Sequence, residues 1–251
     1  MVHGLGVFLE HFAGYESEYT LIGGVACMIV VGDAGLEFRA TKDLDIVLCC
    51  QALTDDFVEA VWSFVRMGRY QAQETSEGDS RFYRFHRPND VAYPYMLELF
   101  ARKPEQVKLR ADSRLSPIPI SESVSSLSAI LLDDTYYEFL MSNRQRIDNV
   151  PIVSADCLVA LKVRAWLDLR ARRDSGEKVD SRDIKKHKND VFRIAQILDP
   201  SATVIAPKQI CDDVAAFVSG VASEKPNLKD LGIRGISYET IVSTLAERYR
   251  A

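Results

Sequence analysis

The chain has 251 residues, 47% of them hydrophobic, and a net charge of −5, which suits one large domain or two small ones with a real core. The acidic balance argues against indiscriminate nucleic-acid binding through bulk charge, while leaving room for a local basic patch. Five cysteines without a CxxC spacing and four scattered histidines argue against a zinc module and against a disulfide framework.

The opening MVHGLGVFLEHF is too short and too polar for a signal peptide, and the apolar run 27–32 is far below the roughly 20 residues that span a bilayer. The expectation is a cytoplasmic protein with reduced, buried thiols and no membrane partner.

In chain order, residues 5–14 read as a short helix with Val7, Phe8 and Phe12 apolar. Tyr19 to Ile22 reads as a strand, Gly23-Gly24 as a turn, and Val25, Met28 and Ile29 as a buried helix ending at Gly32 or Gly35. Phe38 to Cys50 reads as a longer strand. A helix from Thr54 to Met67 follows, capped by Thr54 or Asp55, with Phe57, Val58, Val61, Trp62 and Val65 as its apolar stripe. A polar turn opens at Gln71. Two strands, Phe82 to His86 and Tyr95 to Ala101, flank the loop Arg87 to Asp90.

The character changes after Ser116. Pro117 and Pro119 close the strand-rich part, Ser123 to Ser128 forms a polar joint, and Ala129 to Leu132 is apolar. Helices then dominate: Thr135 to Ser142, Ala155 to Arg173, Arg182 to Leu198, Pro207 to Val221 and Tyr238 to Tyr249, with Arg173 to Ser181 as a charged connector. The expected architecture is an α/β (α+β) domain with a mixed sheet over 1–120 and a helical domain over 121–251.

The chemistry concentrates in Asp43-Leu44-Asp45. Side chains of a strand alternate, so Asp43 and Asp45 share one face and Leu44 and Ile46 the other. Two carboxylates held together repel unless a cation lies between them, and their oxygens suit Mg²⁺. Glu98, in the apolar run Met96 to Phe100, is the candidate third ligand, because a carboxylate is costly to bury unpaired. If its strand lies beside that of the aspartates, three carboxylates converge on two magnesium ions, an arrangement for in-line displacement at phosphorus. The alternative makes Glu98 a solvent-facing residue of an edge strand.

Gly23 and Gly24 precede a helix, where backbone N–H groups can approach phosphate oxygens; a plain tight turn is the simpler account. Arg39 and Lys42 flank Asp43 and either offset phosphate charge or pair on the surface. The basic run Arg170, Arg172, Arg173, Lys178, Arg182, Lys185, Lys186 and Lys188 is a solvated charged loop by default, or a guide for RNA phosphates.

The sequence hydrophobic–Gly23-Gly24–x–Ala26, followed by Arg39-x-Thr41-x-Asp43-Leu44-Asp45-Ile46, resembles the nucleotidyltransferase-fold superfamily. Within it the likeness is to the AbiEii-type toxin nucleotidyltransferases of bacteria and archaea. Further along, SADCLVALKVRAW (154–166) and DIKKHKNDVFRI (183–194) match the inward lysine and the Lys-x-Asp segment of that group through Lys162, Lys188 and Asp190. Gly-Gly stands where the family usually has Gly-Ser.

The resemblance implies that Lys162 and Lys188 contact nucleotide phosphates, that Asp190 positions the nucleotide, and that the protein is the toxin of a toxin–antitoxin or phage-defence pair. From the residues alone, Lys162 beside the stripe Leu158, Leu161, Ala165 and Leu169 either points inward or reaches past it to water. Asp190 reads as part of an exposed ion-pair ladder with Lys186 and Arg193.

The expected activity is Mg²⁺-dependent transfer of a nucleoside monophosphate from an NTP to an acceptor hydroxyl on RNA such as tRNA, or on protein. The alternatives are a nucleotide-fold binding or regulatory module without turnover, and an enzyme that nucleotidylates a small molecule such as an antibiotic.

Overall fold

The computed structural model describes residues 2–49, 52, 54–74, 80–100 and 133–250. The chain divides into two compact units, neither continuous in sequence: Met1–Ile29 with Arg39–Val124 and Arg144–Val153, and Val30–Phe38 with Ser125–Asn143 and Ser154–Ala251. Pro117, Pro119, the joint Ser123 to Ser128, the run Ala129 to Leu132 and the expected boundary at 120/121 lie outside the described residues.

The first unit is built on a seven-stranded mixed sheet in the order β3-β4-β5-β2-β1-β7-β6. Its strands are β1 (Tyr19–Ile22), β2 (Asp43–Leu48), β3 (Gln71–Glu74), β4 (Ser80–His86), β5 (Met96–Phe100), β6 (Arg144–Ile147) and β7 (Val150–Val153). Helix α1 (Leu5–His11) precedes β1, α2 (Gly23–Asp33) follows it, and α3 (Asp55–Met67) lies between β2 and β3. β2 is central, antiparallel to β1 and parallel to β5.

Leu44 and Ile46 of β2, Tyr19 and Leu21 of β1, Leu97 and Leu99 of β5 and Phe85 of β4 share one face by alternation and register. Helices α1 and α3 cover that face, where Phe8, Phe12, Phe57 and Phe64 surround Ile46, Leu97 and Leu99. Phe8 meets Tyr19 edge-on at 5.4 Å and Phe64 at 5.6 Å between ring centroids. Each such ring contributes about 1.5–3 kcal/mol on burial, which fixes the helices to the sheet.

Thr54 is the cap of α3, accepting from the Phe57 N–H at 3.2 Å. Its own N–H and hydroxyl donate to the Glu18 carboxylate at 2.7 and 2.9 Å, which accounts for a glutamate buried beside β1.

Three sequence expectations change here. The strand expected from Phe38 begins at Asp43, because β1 turns into α2 at Gly23 and ends the ladder opposite. The expected polar turn at Gln71 is instead β3, paired with β4. The hairpin β6–β7 was not anticipated. It stands within a helix-rich stretch of sequence, yet β7 pairs with β1 in parallel through Leu21 and Ile152. Asp148 (φ 48°) and Asn149 (φ 64°) form its two-residue turn. That left-handed pair matches the right-handed twist of the strands, and Asp and Asn adopt it most readily after glycine.

The second unit is helical: α4 (Asp134–Ser142), α5 (Ala155–Asp174), α6 (Ser181–Ala195), α7 (Lys208–Val221) and α8 (Tyr238–Arg248). Side chains of Asp133, Ser154, Asp180 and Ser237 accept from the first-turn N–H groups of α4, α5, α6 and α8. Trp166 of α5 meets Phe217 of α7 edge-on at 5.0 Å, and Phe192 of α6 lies 6.2 Å from the same ring.

Polar clamps tie this unit together. The Arg248 guanidinium grips the Asp156 carboxylate, and the Tyr249 hydroxyl donates to the Asp156 carbonyl at 2.6 Å. Tyr136 donates to Asp213 at 2.7 Å, and burial together with that carboxylate pushes the phenol well above its ordinary pKa. Cys27, Cys49, Cys157 and Cys211 are buried. Among the described residues no helix is long and apolar enough to cross a membrane.

Candidate functional site on the carboxylate face of the sheet

The face of the sheet turned away from α1 and α3 carries Asp43 and Asp45. Register extends it sideways: Asp45 is opposite Ile22 of β1 and Glu98 of β5, and Glu98 in turn is opposite Arg84 of β4. Residues in register on neighbouring strands point to the same side, about 4.8 Å apart. Asp43, Asp45, Glu98 and Arg84 therefore share one surface. β5 lies inside the sheet between β2 and β4, so Glu98 is not an edge residue.

Asp45 is buried at 8% exposure, Asp43 is half-buried, and the Glu98 side chain is 13% exposed. Glu98 is held by Arg84, whose Nε and Nη2 both reach Oε1. Sequence reading passed over Arg84. Its signal was the alternation of Arg84-Phe85-His86, in which Phe85 takes the apolar side and Arg84 the other, but the partner strand was needed to say whom it meets.

Gly23 explains why the turn before α2 contains glycine. Its φ is +66°, and a Cβ there would lie 1.6 Å from Asp45 Oδ2 and 2.6 Å from Cγ. A Cβ on Gly24 would lie 2.7 Å from Thr41 Oγ1. The β1–α2 turn thus closes onto the carboxylate and onto the segment leading into β2, and any side chain at Gly23 would displace Asp45. Helix α2 begins at this point, so its first N–H groups and the positive end of its dipole lie beside Asp45.

Arg39 and Lys42 stand on the connection into β2 rather than on the strand itself. Arg39 is half-buried with Nη1 3.5 Å from the Ala40 carbonyl, and Lys42 is exposed.

The remaining expected site residues belong to the helical unit. Lys162 is buried, and its ammonium lies 3.3 Å from Asp190. Asp190 is fully buried and also 3.4 Å from Arg193. The exposed ladder expected for Asp190 is corrected on this point: α6 turns this carboxylate inward, and the inward Lys162 of α5 meets it. Water-reaching Lys162 is likewise replaced by an inward one. Lys188 donates to the Glu224 carbonyl at 2.8 Å and to its carboxylate at 3.2 Å.

Most of the basic run is matched by acids nearby. Arg170 pairs with Glu224 at 3.5 Å and covers the Trp166 ring, and Arg172 pairs with Asp168 and Glu177. Arg173 pairs with Asp174, and Arg182 with Asp180.

Asp43 and Asp45 have the donor chemistry of a hard divalent cation such as Mg²⁺, and the backbone of the glycine turn packs directly against the Asp45 carboxylate. Glu98 belongs to the same surface but is bound to a guanidinium. Among the described residues, no three His, Cys, Asp or Glu side chains gather into a metal-binding group. Comparison of the chain with protein-family models, with curated proteins and with solved structures yields no match in any of the three.

Proposed function

We propose that this protein is a nucleotidyltransferase that, with Mg²⁺, moves a nucleoside monophosphate from an NTP to an acceptor hydroxyl on RNA or protein. The observation that carries this reading is the register that sets Glu98 beside Asp45, with the Gly23 backbone closed onto the Asp45 carboxylate. That combination supplies carboxylates and a phosphate-compatible helix start on one surface, which a plain structural turn has no need of.

In this reading Asp43 and Asp45 would hold Mg²⁺, which would supply positive charge against the triphosphate. Gly23 and Gly24 let the first N–H groups of α2 meet phosphate oxygens. Glu98 accepts the proton of the acceptor hydroxyl at Oε2, the oxygen outside the Arg84 pair. The new P–O bond forms as the α–β phosphoanhydride bond breaks, and pyrophosphate leaves. By motif resemblance the physiological role is that of a toxin with a cognate antitoxin. The phosphate role that the motif resemblance implies for Lys162 and Lys188 competes with their pairing to Asp190 and Glu224.

One observation favours a second reading. Arg84 already occupies Glu98, as it would in a fold that binds nucleotide and performs no transfer. Incubation of the purified protein with each α-labelled NTP, Mg²⁺ and total RNA or cell protein separates the two, beside an Asp43→Ala/Asp45→Ala control. Label carried into an acceptor by the wild type alone is the expected result. Nucleotide binding without transfer to any acceptor would sink the enzyme reading and leave the binding module.

A further inference from the structure

The Arg84–Glu98 pair has a consequence for how many cations the surface takes. A two-ion site needs its third carboxylate as a ligand of the second ion. Here Oε1 of that carboxylate already receives both Nε and Nη2 of a guanidinium. The pair is set by backbone register, since Arg84 and Glu98 are directly opposite on antiparallel strands. It is also well shielded, with side chains 26% and 13% exposed, so water screens it only in part. A second divalent ion on the same carboxylate would lie against the positive charge of this guanidinium, which repels it.

Resting on the nucleotidyl-transfer reading above, we propose that Arg84 is a positioning residue that takes the place of a second metal ion. Its guanidinium holds Glu98 on the aspartate side of the sheet and supplies the positive charge there. Asp43 and Asp45 then bind a single divalent cation. Glu98 keeps Oε2 for the acceptor proton, and the transfer runs with one metal and one arginine.

Ion counting tests this without reference to turnover. The full chain is dialysed against Mn²⁺ with an α,β-methylene NTP analogue, and Mn²⁺ is counted by electron paramagnetic resonance per chain-bound analogue. One ion is expected for the wild type and for Arg84→Lys, which keeps a cation at this position. Two are expected for Arg84→Met, where Glu98 is released, and one again for Arg84→Met combined with Glu98→Gln. Arg84→Gln replaces Arg84→Met if the latter fails to fold.

Two ions in the wild type overturn the proposal, as does a folded Arg84→Met or Arg84→Gln protein that still binds one. A wild type that binds the analogue and retains no Mn²⁺ overturns the metal site itself, and with it the reading on which this proposal rests. A count of one ion with no transfer to any acceptor removes the enzyme reading alone.

Discussion

The two units handle buried charge in opposite ways. In the helical unit Asp190 is enclosed by Lys162 and Arg193, Asp156 by Arg248, and Asp213 by Arg164 and Tyr136. Acid meets base in defined geometry, fully enclosed at Asp190 and partly exposed at Asp213, which ties those helices together. On the sheet, the Gly23 backbone packs against the Asp45 carboxylate, and three carboxylates share a surface with Arg84. In the proposed function the first pattern serves stability and the second receives an incoming cation.

That contrast breaks or holds on measurable differences. Asp45→Asn should abolish transfer, with a loss on the order of 10³-fold, while the urea midpoint changes little. A loss of activity that merely follows unfolding would count against a ligand role for Asp45. Lys162→Met should do the reverse and lower unfolding stability by about 3–5 kcal/mol, because Asp190 is left buried beside one fewer cation. Combining Lys162→Met with Asp190→Leu should recover much of that loss in urea melts. If Lys162→Met instead spares stability and weakens NTP binding, the phosphate role implied by motif resemblance gains over the structural one.

Gly23→Ala falls between these extremes. A left-handed φ and a Cβ pressed onto the Asp45 carboxylate predict roughly 1–3 kcal/mol of destabilisation, with NTP affinity reduced as the carboxylate shifts. Calorimetric titration of NTP beside thermal melts reads both. The smallest effect on transfer is expected at Thr54→Ala, where α3 loses its cap and the buried Glu18 loses a hydroxyl donor for about 2–3 kcal/mol of stability while the site is untouched, so transfer should persist in the folded fraction.

Legibility in the sequence followed the range of the interactions. Short-period signals carried the central elements: the alternation around Asp43 and Asp45, the glycine pair, the stripe of α3 and its threonine cap, and the later helices. The hairpin β6–β7 escaped because its two strands are four residues each and its pairing partner β1 lies more than a hundred residues earlier. The Asp148-Asn149 turn was its one local sign. Asp190 was misread and Lys162 left open between inward and water-reaching for a related reason: helical spacing tells which residues share a face, but not which face meets another helix.

By itself, the sequence determined that Asp43 and Asp45 share a face, that glycine precedes α2, and that a helix-rich segment follows a strand-rich one. Those are consequences of backbone geometry over a few residues, where side-chain direction is set by the residue count. Only the tertiary structure decided that Glu98 stands beside Asp45, that Arg84 holds it, and that Gly23 must be glycine because of a carboxylate 22 positions later. Those contacts depend on which strands pair and in what register. That choice is made by burying the opposite, aromatic face of the sheet under α1 and α3, not by the residues of the site.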